Sequence, residues 1–337
     1  MTPELLVAGV MLAALILYTL SGGADFGGGV WDLLASGPRR EAQRRLIDRT
    51  LAPIWEANHV WLILLVVLLF VCFPTAFAAV STALHVPLAL MLLGVVLRGS
   101  AFTFRHYDPL HGADARRWSR VFEVASLITP VTLGVVLGAL SDGFVVDPGT
   151  GRVTTDFFSQ WLAPYPFAVG AFTLALFAFL AAAYLADQAE DPTLRDDFRG
   201  RALASALAVG ATAGLAYLSA RTGAPRIHAG LSSSGWALPL HLTTGLAALA
   251  AIAALWLRRF RAARVLAIVQ AALIVLGWAS AQYPYLAAPG YTIEETAAPS
   301  TILVPVLYAL GLGALLLVPA LAYLYAVFLR HEPRHGA

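Results

Sequence analysis

The sequence predicts an all-α integral membrane protein of nine transmembrane helices, with the N-terminus outside and the C-terminus in the cytoplasm. Three observations predict it. Of 337 residues, 59% are hydrophobic and only 12% charged, about half the charge of an average soluble domain. Nine apolar runs reach the roughly 20 residues that a spanning helix needs: 4–34, 52–74, 79–104, 117–140, 161–186, 202–220, 236–257, 264–282 and 301–329. Arginines gather at alternate ends of those runs, which fixes orientation by the positive-inside rule.

The first run carries Ser21-Gly22-Gly23-Ala24-Asp25-Phe26-Gly27-Gly28-Gly29-Val30-Trp31-Asp32. Gly23 and Gly27 have the small-xxx-small spacing that lets helices approach closely in lipid. Asp25 lies in the inner part of this helix, and Asp32 near its rim. The second run opens Pro53-Ile54-Trp55-Glu56-Ala57-Asn58-His59-Val60-Trp61, with proline at a favoured first-turn position. Glu56 and His59 are three residues apart, so they share a helix face, and at 1.5 Å per residue they lie within roughly 10 Å of the inner rim. Trp55 and Trp61 flank them. The third run ends Leu97-Arg98-Gly99-Ser100-Ala101-Phe102-Thr103-Phe104-Arg105, and the fourth leaves the same face with Trp118 and Glu123.

Asp25, Glu56, Arg98 and Glu123 therefore fall at similar depth in the first four helices. Ionisable groups at membrane depth are costly and mark ion or proton work, or binding. Three acids cannot all pair with one guanidinium, so at least one carboxyl is expected to be neutral or met by a partner subunit. The plain alternatives are a rim carboxylate in headgroup water for Glu56 and a snorkelling side chain for Arg98.

Residues 1–140 read as a first four-helix group, 161–282 as a second, and 301–329 as a ninth helix, all in one membrane domain. The second half adds fewer buried charges. Its loop at 283–296, aromatic and acidic, reads as a solvated cap. The inner face collects eighteen arginines: Arg39, Arg40, Arg44, Arg45 and Arg49; Arg105, Arg116, Arg117 and Arg120; Arg195, Arg199 and Arg201; Arg258, Arg259, Arg261 and Arg264; Arg330 and Arg334. The outer face has Arg152, Arg221 and Arg226. Trp31, Trp55, Trp118 and Trp256 fall near inner ends, and Trp161, Trp236 and Trp278 near outer ends, where interfacial indoles are expected.

The net charge of +2 points to no nucleic-acid partner. The lone Cys72 makes no intrachain disulfide and no cysteine-based metal site, and the N-terminus lacks a signal-peptide pattern. His85 and His241 stand alone, and the methionines are Met1, Met11 and Met91. A b-type haem needs an axial pair, so no haem or metal site is expected on this chain.

Several stretches together resemble subunit II of the cytochrome bd-type quinol oxidases, including the cyanide-insensitive branch: Gly22 to Gly27, Pro53 to Leu62, Leu97 to Phe102, Asp197 to Leu203, and Tyr283 to Leu286. The resemblance implies two four-helix bundles plus one further helix, paired with a haem-bearing subunit I that holds the haems b and d and the quinol site. It implies quinol oxidation at the outer face of a bacterial or archaeal cytoplasmic membrane, oxygen reduction to water, and proton uptake from the cytoplasm. Acids near the inner end of subunit II contribute to that uptake in the family. Glu56 stands where many members have Asp, and Asp25 matches the second acid of a paired motif whose first position is Gly22 here. His59 stands where other branches have Glu. The proton-pathway candidates are thus Glu56, Asp25, His59 and Glu123, supported by Arg98, Asn58, Trp55 and Asp32. Some members carry a structural quinone or lipid on this subunit, and a small single-helix accessory subunit is a further partner to expect. The competing reading is a secondary transporter with a polar site in the first four helices, where the glycines around Asp25 break the helix around a substrate.

Overall fold

The structure is a computed structural model. It describes residues 2–107, 113–147, 153–154 and 156–330, leaving out the side chains of 51–57, 105–116, 318, 321–322 and 324–330. It is helical almost throughout: α1 (Pro3–Leu33), α2 (Arg40–Cys72), α3 (Pro74–Ala83), α4 (His85–Tyr107), α5 (Ala113–Asp142), α6 (Pro164–Gln188), α7 (Pro192–Gly223), α8 (Pro225–Ser233), α9 (Ala237–Trp256), α10 (Phe260–Gln282) and α11 (Ser300–Arg330). A two-stranded antiparallel hairpin, β1 (Tyr285–Ala287) and β2 (Tyr291–Thr292), precedes α11. Among the described residues, eight helices are long and apolar enough to cross a membrane: α1, α4, α5, α6, α7, α9, α10 and α11. A ninth candidate is Asn58–Cys72 of α2 together with α3, bent by 116° between them.

That bend has a local cause. Pro74 has no N–H to continue α2 and excludes α geometry at Phe73, which sits at φ −137° and ψ 59°. Pro74 then serves as the first residue of α3. The apolar run at 79–104 is therefore not one helix. Its first residues belong to α3, and α4 begins at His85, where Pro87 in the first turn again removes a donor.

α2 begins twelve residues before the apolar run, at Arg40 instead of 52. Gly37 takes the left-handed conformation, φ 74°, that only glycine adopts cheaply. It turns the chain directly from α1 into an amphipathic stretch. Gln43, Leu46 and Ile47 of that stretch are buried, at the i, i+3, i+4 spacing of one helix face. Of the five inner-face arginines between the first two apolar runs, Arg39 stands at the N-cap and Arg40, Arg44, Arg45 and Arg49 lie in the first turns of this helix.

α6 sits at the centre, packed on α1, α5, α7 and α10. Its run Ala181-Ala182-Ala183 is fully buried, which lets neighbouring backbones come close. Gly27 of α1 meets it most tightly: a Cβ there would overlap the Phe177 carbonyl oxygen. Trp31 is buried and donates its indole N–H to the Ala178 carbonyl at 2.8 Å. It is a core strut between α1 and α6, and the interfacial placement expected of it does not hold. Trp256, 65% exposed, does stand at the surface. The glycine-rich part of α1 runs unbroken to Leu33, so the helix break invoked for a transporter is absent. The hairpin region is also more than a solvated cap. Ala287, Ala288, Thr296 and Ala298 are buried, and it bonds back through Phe144 N–H to Ala288 O (2.7 Å) and Ala298 N–H to Cys72 O (2.8 Å).

Candidate functional site

The buried charges form two layers between α1, α2, α4 and α5. In the first, Arg98 of α4 grips Asp25 of α1. Its Nη1 donates to Asp25 Oδ2 at 2.8 Å, and its Nη2 donates to Asp25 Oδ1 at 2.6 Å and to the Asp25 backbone carbonyl at 3.0 Å. Arg98 Nε donates to Ser126 Oγ of α5 at 3.0 Å. Asp25 is 1% exposed, Arg98 3% and Ser126 0%, so the snorkelling alternative is excluded. The guanidinium lies between two rings, 4.8 Å from the centroids of both Phe26 and Phe122. A planar fork matched to a carboxylate and faced by aromatic rings is arginine-specific chemistry. Gly29 makes the approach possible, because a Cβ there would overlap Ser126 Oγ.

The second layer lies seven residues further along α1, about 10 Å towards the arginine-rich end. Here Arg44 of α2 joins Asp32 and Glu123. Its Nη2 bonds Glu123 Oε1 at 2.5 Å and the Asp32 carbonyl at 3.2 Å, and its Nε stands 3.3 Å from Asp32 Oδ1. Asp32 is fully buried and Glu123 is 7% exposed. Glu123 and Ser126 are three apart on α5, so one face of that helix supplies both layers. Arg44 thus supplies a second cation: of the three acids expected to compete for Arg98, Asp25 takes Arg98 and Glu123 takes Arg44, while the Glu56 side chain lies outside the described residues.

A third level continues up α1. Ser21, one turn before Asp25, donates to Asn58 Oδ1 of α2 at 3.1 Å, and Asn58 is fully buried. Its amide nitrogen has no hydrogen-bond partner among the described residues. His59, the next residue, is partly buried. Trp61 packs on the cluster of Tyr18, Phe26 and Phe177. The Glu56 and Trp55 side chains lie outside the described residues. Their backbone places them on α2, between the level of Arg44 and that of Asn58.

A separate polar contact ties the α1–α2 turn to α7. Arg39 holds Asp197 through Nε (2.8 Å) and Nη2 (2.5 Å), Gln43 donates to Asp197 at 2.9 Å, and Arg201 donates to Gln43 at 2.7 Å. The bonds and charge of Asp197 hold the Arg39 guanidinium above its ordinary value. Gln43 escaped sequence reasoning, and the amphipathic start of α2 was the signal that could have found it.

Among the described residues no group of three or more His, Cys, Asp and Glu could hold a metal ion. His85 Nδ1 stands 2.9 Å from Thr82 O, and His241 Nε2 stands 2.8 Å from Leu231 O. They belong to different helices, and each is already engaged by a backbone carbonyl.

Comparison with known proteins agrees with this architecture. The family model for cytochrome bd terminal oxidase subunit II matches residues 3–328. The cytochrome bd ubiquinol oxidase subunit 2 of Bacillus subtilis is 33% identical over 129 residues, 37% of this chain and 36% of that protein. The cytochrome bd-I ubiquinol oxidase subunit 2 of Escherichia coli is 28% identical over 186 residues, 53% of this chain and 46% of that protein. The matched stretches thus span less than half of either relative. A chain in the structure of bd oxidase from Geobacillus thermodenitrificans superposes with a TM-score of 0.83 at 24% identity, covering 98% of this chain and 100% of that one. That likeness speaks to the fold.

Proposed function

The chain belongs to the cytochrome bd terminal oxidase subunit II family, and from that premise we propose that it is the haem-free subunit of a quinol oxidase and lines a proton-uptake route. It is a multi-pass membrane protein. In the proposed assembly it pairs with a haem-bearing subunit I, which holds the haems b and d and the quinol site, and which oxidises quinol and reduces oxygen to water. We place the arginine-rich end in the cytoplasm of a bacterial or archaeal cell, with α2 as the ninth crossing, the N-terminus outside and the C-terminus inside. The arginine asymmetry supports this orientation.

The observation that carries the proton proposal is the stack of buried polar levels on α1, α2, α4 and α5, which starts at the arginine-rich end and rises through an otherwise apolar bundle. Within it, Glu123 and Asp32 gather charge near the rim around Arg44. Glu56 and His59 lie on the helix that runs alongside and are the groups proposed to pass the proton. Asp25, with both oxygens on Arg98, is assigned the part of a fixed counter-charge. Asn58, buried two residues beyond Glu56 on the same helix, is proposed to line the passage, and Trp55, next to Glu56 in sequence, is proposed to line it too. A proton drawn from one side and consumed in making water moves charge across the membrane without a pump.

The proposal is tested by gentle purification of the complex, a visible spectrum, and quinol-dependent oxygen uptake. A haem-bearing partner of similar size with quinol-dependent uptake supports it. A chain that purifies alone, without absorbance or uptake, refutes it.

A further inference from the structure

We propose that the groove beside the α9–α10 turn binds the phosphate headgroup of an anionic phospholipid. The groove has a volume of about 490 Å³ and is lined by Asp187, Arg195, Arg259, Phe260, Arg261 and Ala262. Its charge balance is the first reason. Most arginines around it are committed: Arg264 to Asp187 at 2.7 Å, Arg258 to Asp196 at 3.1 Å, and Arg199 to the Leu255 carbonyl at 2.8 Å. The lining acid, Asp187, is thereby neutralised. Arg195 is anchored through Nε and Nη2 to the Ala189 carbonyl at 3.0 and 2.6 Å, and lies 5.4 Å over the Phe260 ring. It therefore brings a positioned positive charge with no carboxylate of its own among the described residues. Arg259 and Arg261 are exposed and likewise have no carboxylate within ion-pair distance among the described residues. Three arginines without a carboxylate partner among the described residues thus line one groove.

The apolar surroundings are the second reason. Trp256 and Leu257, at the end of α9, are 65% and 68% exposed beside the groove. From there Leu249, Leu246, Leu242 and Leu238 run along α9, each at least 64% exposed, at spacings that place them on one helix face. A headgroup in the groove would lay its acyl chains along this stripe. The turn itself is built tight: Arg258 takes φ 57°, and Arg259 N–H reaches back to Ala254 O at 2.8 Å. That geometry sets Arg259 and Arg261 at the level where an indole marks the membrane interface. Basic pockets between helices on this side of a membrane suit anionic headgroups.

The test uses the intact complex, delipidated in mild detergent and offered equal phosphatidylglycerol and phosphatidylcholine, with retained lipid counted by native mass spectrometry. The wild-type complex is expected to retain phosphatidylglycerol preferentially. The double variant Arg259→Gln/Arg261→Gln should lose about thirtyfold in that preference, at roughly five-fold per arginine, with its visible spectrum unchanged. Arg45→Gln, at an exposed arginine of the same end outside the groove, should keep the preference. Should the double variant fail to assemble, Arg261→Gln alone carries the test at about five-fold. Equal retention of the two lipids, unchanged preference in the arginine variants, an equal loss in Arg45→Gln, or displacement of the lipid by inorganic phosphate at equal concentration would each overturn the proposal.

Discussion

Replacing Arg98 by alanine is the sharpest structural perturbation available. The change strands the Asp25 carboxylate, 1% exposed, without the cation that holds both its oxygens. It also removes the donor to Ser126 Oγ and the charge facing the Phe26 and Phe122 rings. Stranding one member of a buried ion pair costs about 3–5 kcal/mol, a large share of the roughly 5–15 kcal/mol that holds a typical domain folded. The expected result is poor assembly of the complex and a much lower midpoint of thermal inactivation in whatever assembles. Arg98→Lys should recover only part of the loss, because a single ammonium cannot reproduce the fork. The double variant Arg98→Met/Asp25→Leu should recover most of it, since a buried pair exchanged for apolar groups is often neutral. The coupling comes directly from a double-mutant cycle of yield and inactivation midpoint over wild type, Arg98→Met, Asp25→Leu and the double variant. Wild-type assembly and stability in Arg98→Ala, or strictly additive losses in the cycle, would refute the ion-pair account.

Two further perturbations follow from the packing and the second layer. Gly27→Leu drives a side chain into the Phe177 carbonyl and should separate α1 from α6, abolishing assembly, whereas Gly9→Leu, at a position with open space around it, should assemble normally; yields on a size-exclusion column compare them. Arg44→Gln removes the charge shared by Asp32 and Glu123. Arg44 is partly exposed, so the stability loss should be smaller than for Arg98, about 1–3 kcal/mol, and thermal inactivation measures the difference.

The apolar runs placed most of the helices, because hydropathy over some 20 residues is a strong signal in lipid. They misjudged the ends for a physical reason: a helix obeys backbone geometry as well as hydropathy. Phe73-Pro74 breaks a run that hydropathy reads straight past, and the charged residues from Arg40 onward are good helix formers that extend α2 beyond the membrane. Asp25, Arg98 and Glu123 were legible as a set because charge is rare at that depth. Their division into two layers was not, since it depends on Arg44 arriving from α2 and on Ser126, whose hydroxyl looks ordinary in sequence. Trp31 was misplaced for a similar reason: an indole near a helix end fits an interfacial belt and a buried hydrogen bond equally well. Only the neighbouring Ala178 carbonyl distinguishes them.

Glu56→Gln tests the central claim most directly. The complex is purified, its haem content is fixed by the visible spectrum, and its quinol-dependent oxygen uptake is measured beside wild type and Glu56→Asp. With haem content kept, turnover should fall roughly ten-fold or more in the amide variant, which can neither take up nor release a proton, and much less in the aspartate variant. Wild-type turnover in Glu56→Gln would contradict proton uptake through this subunit's acids.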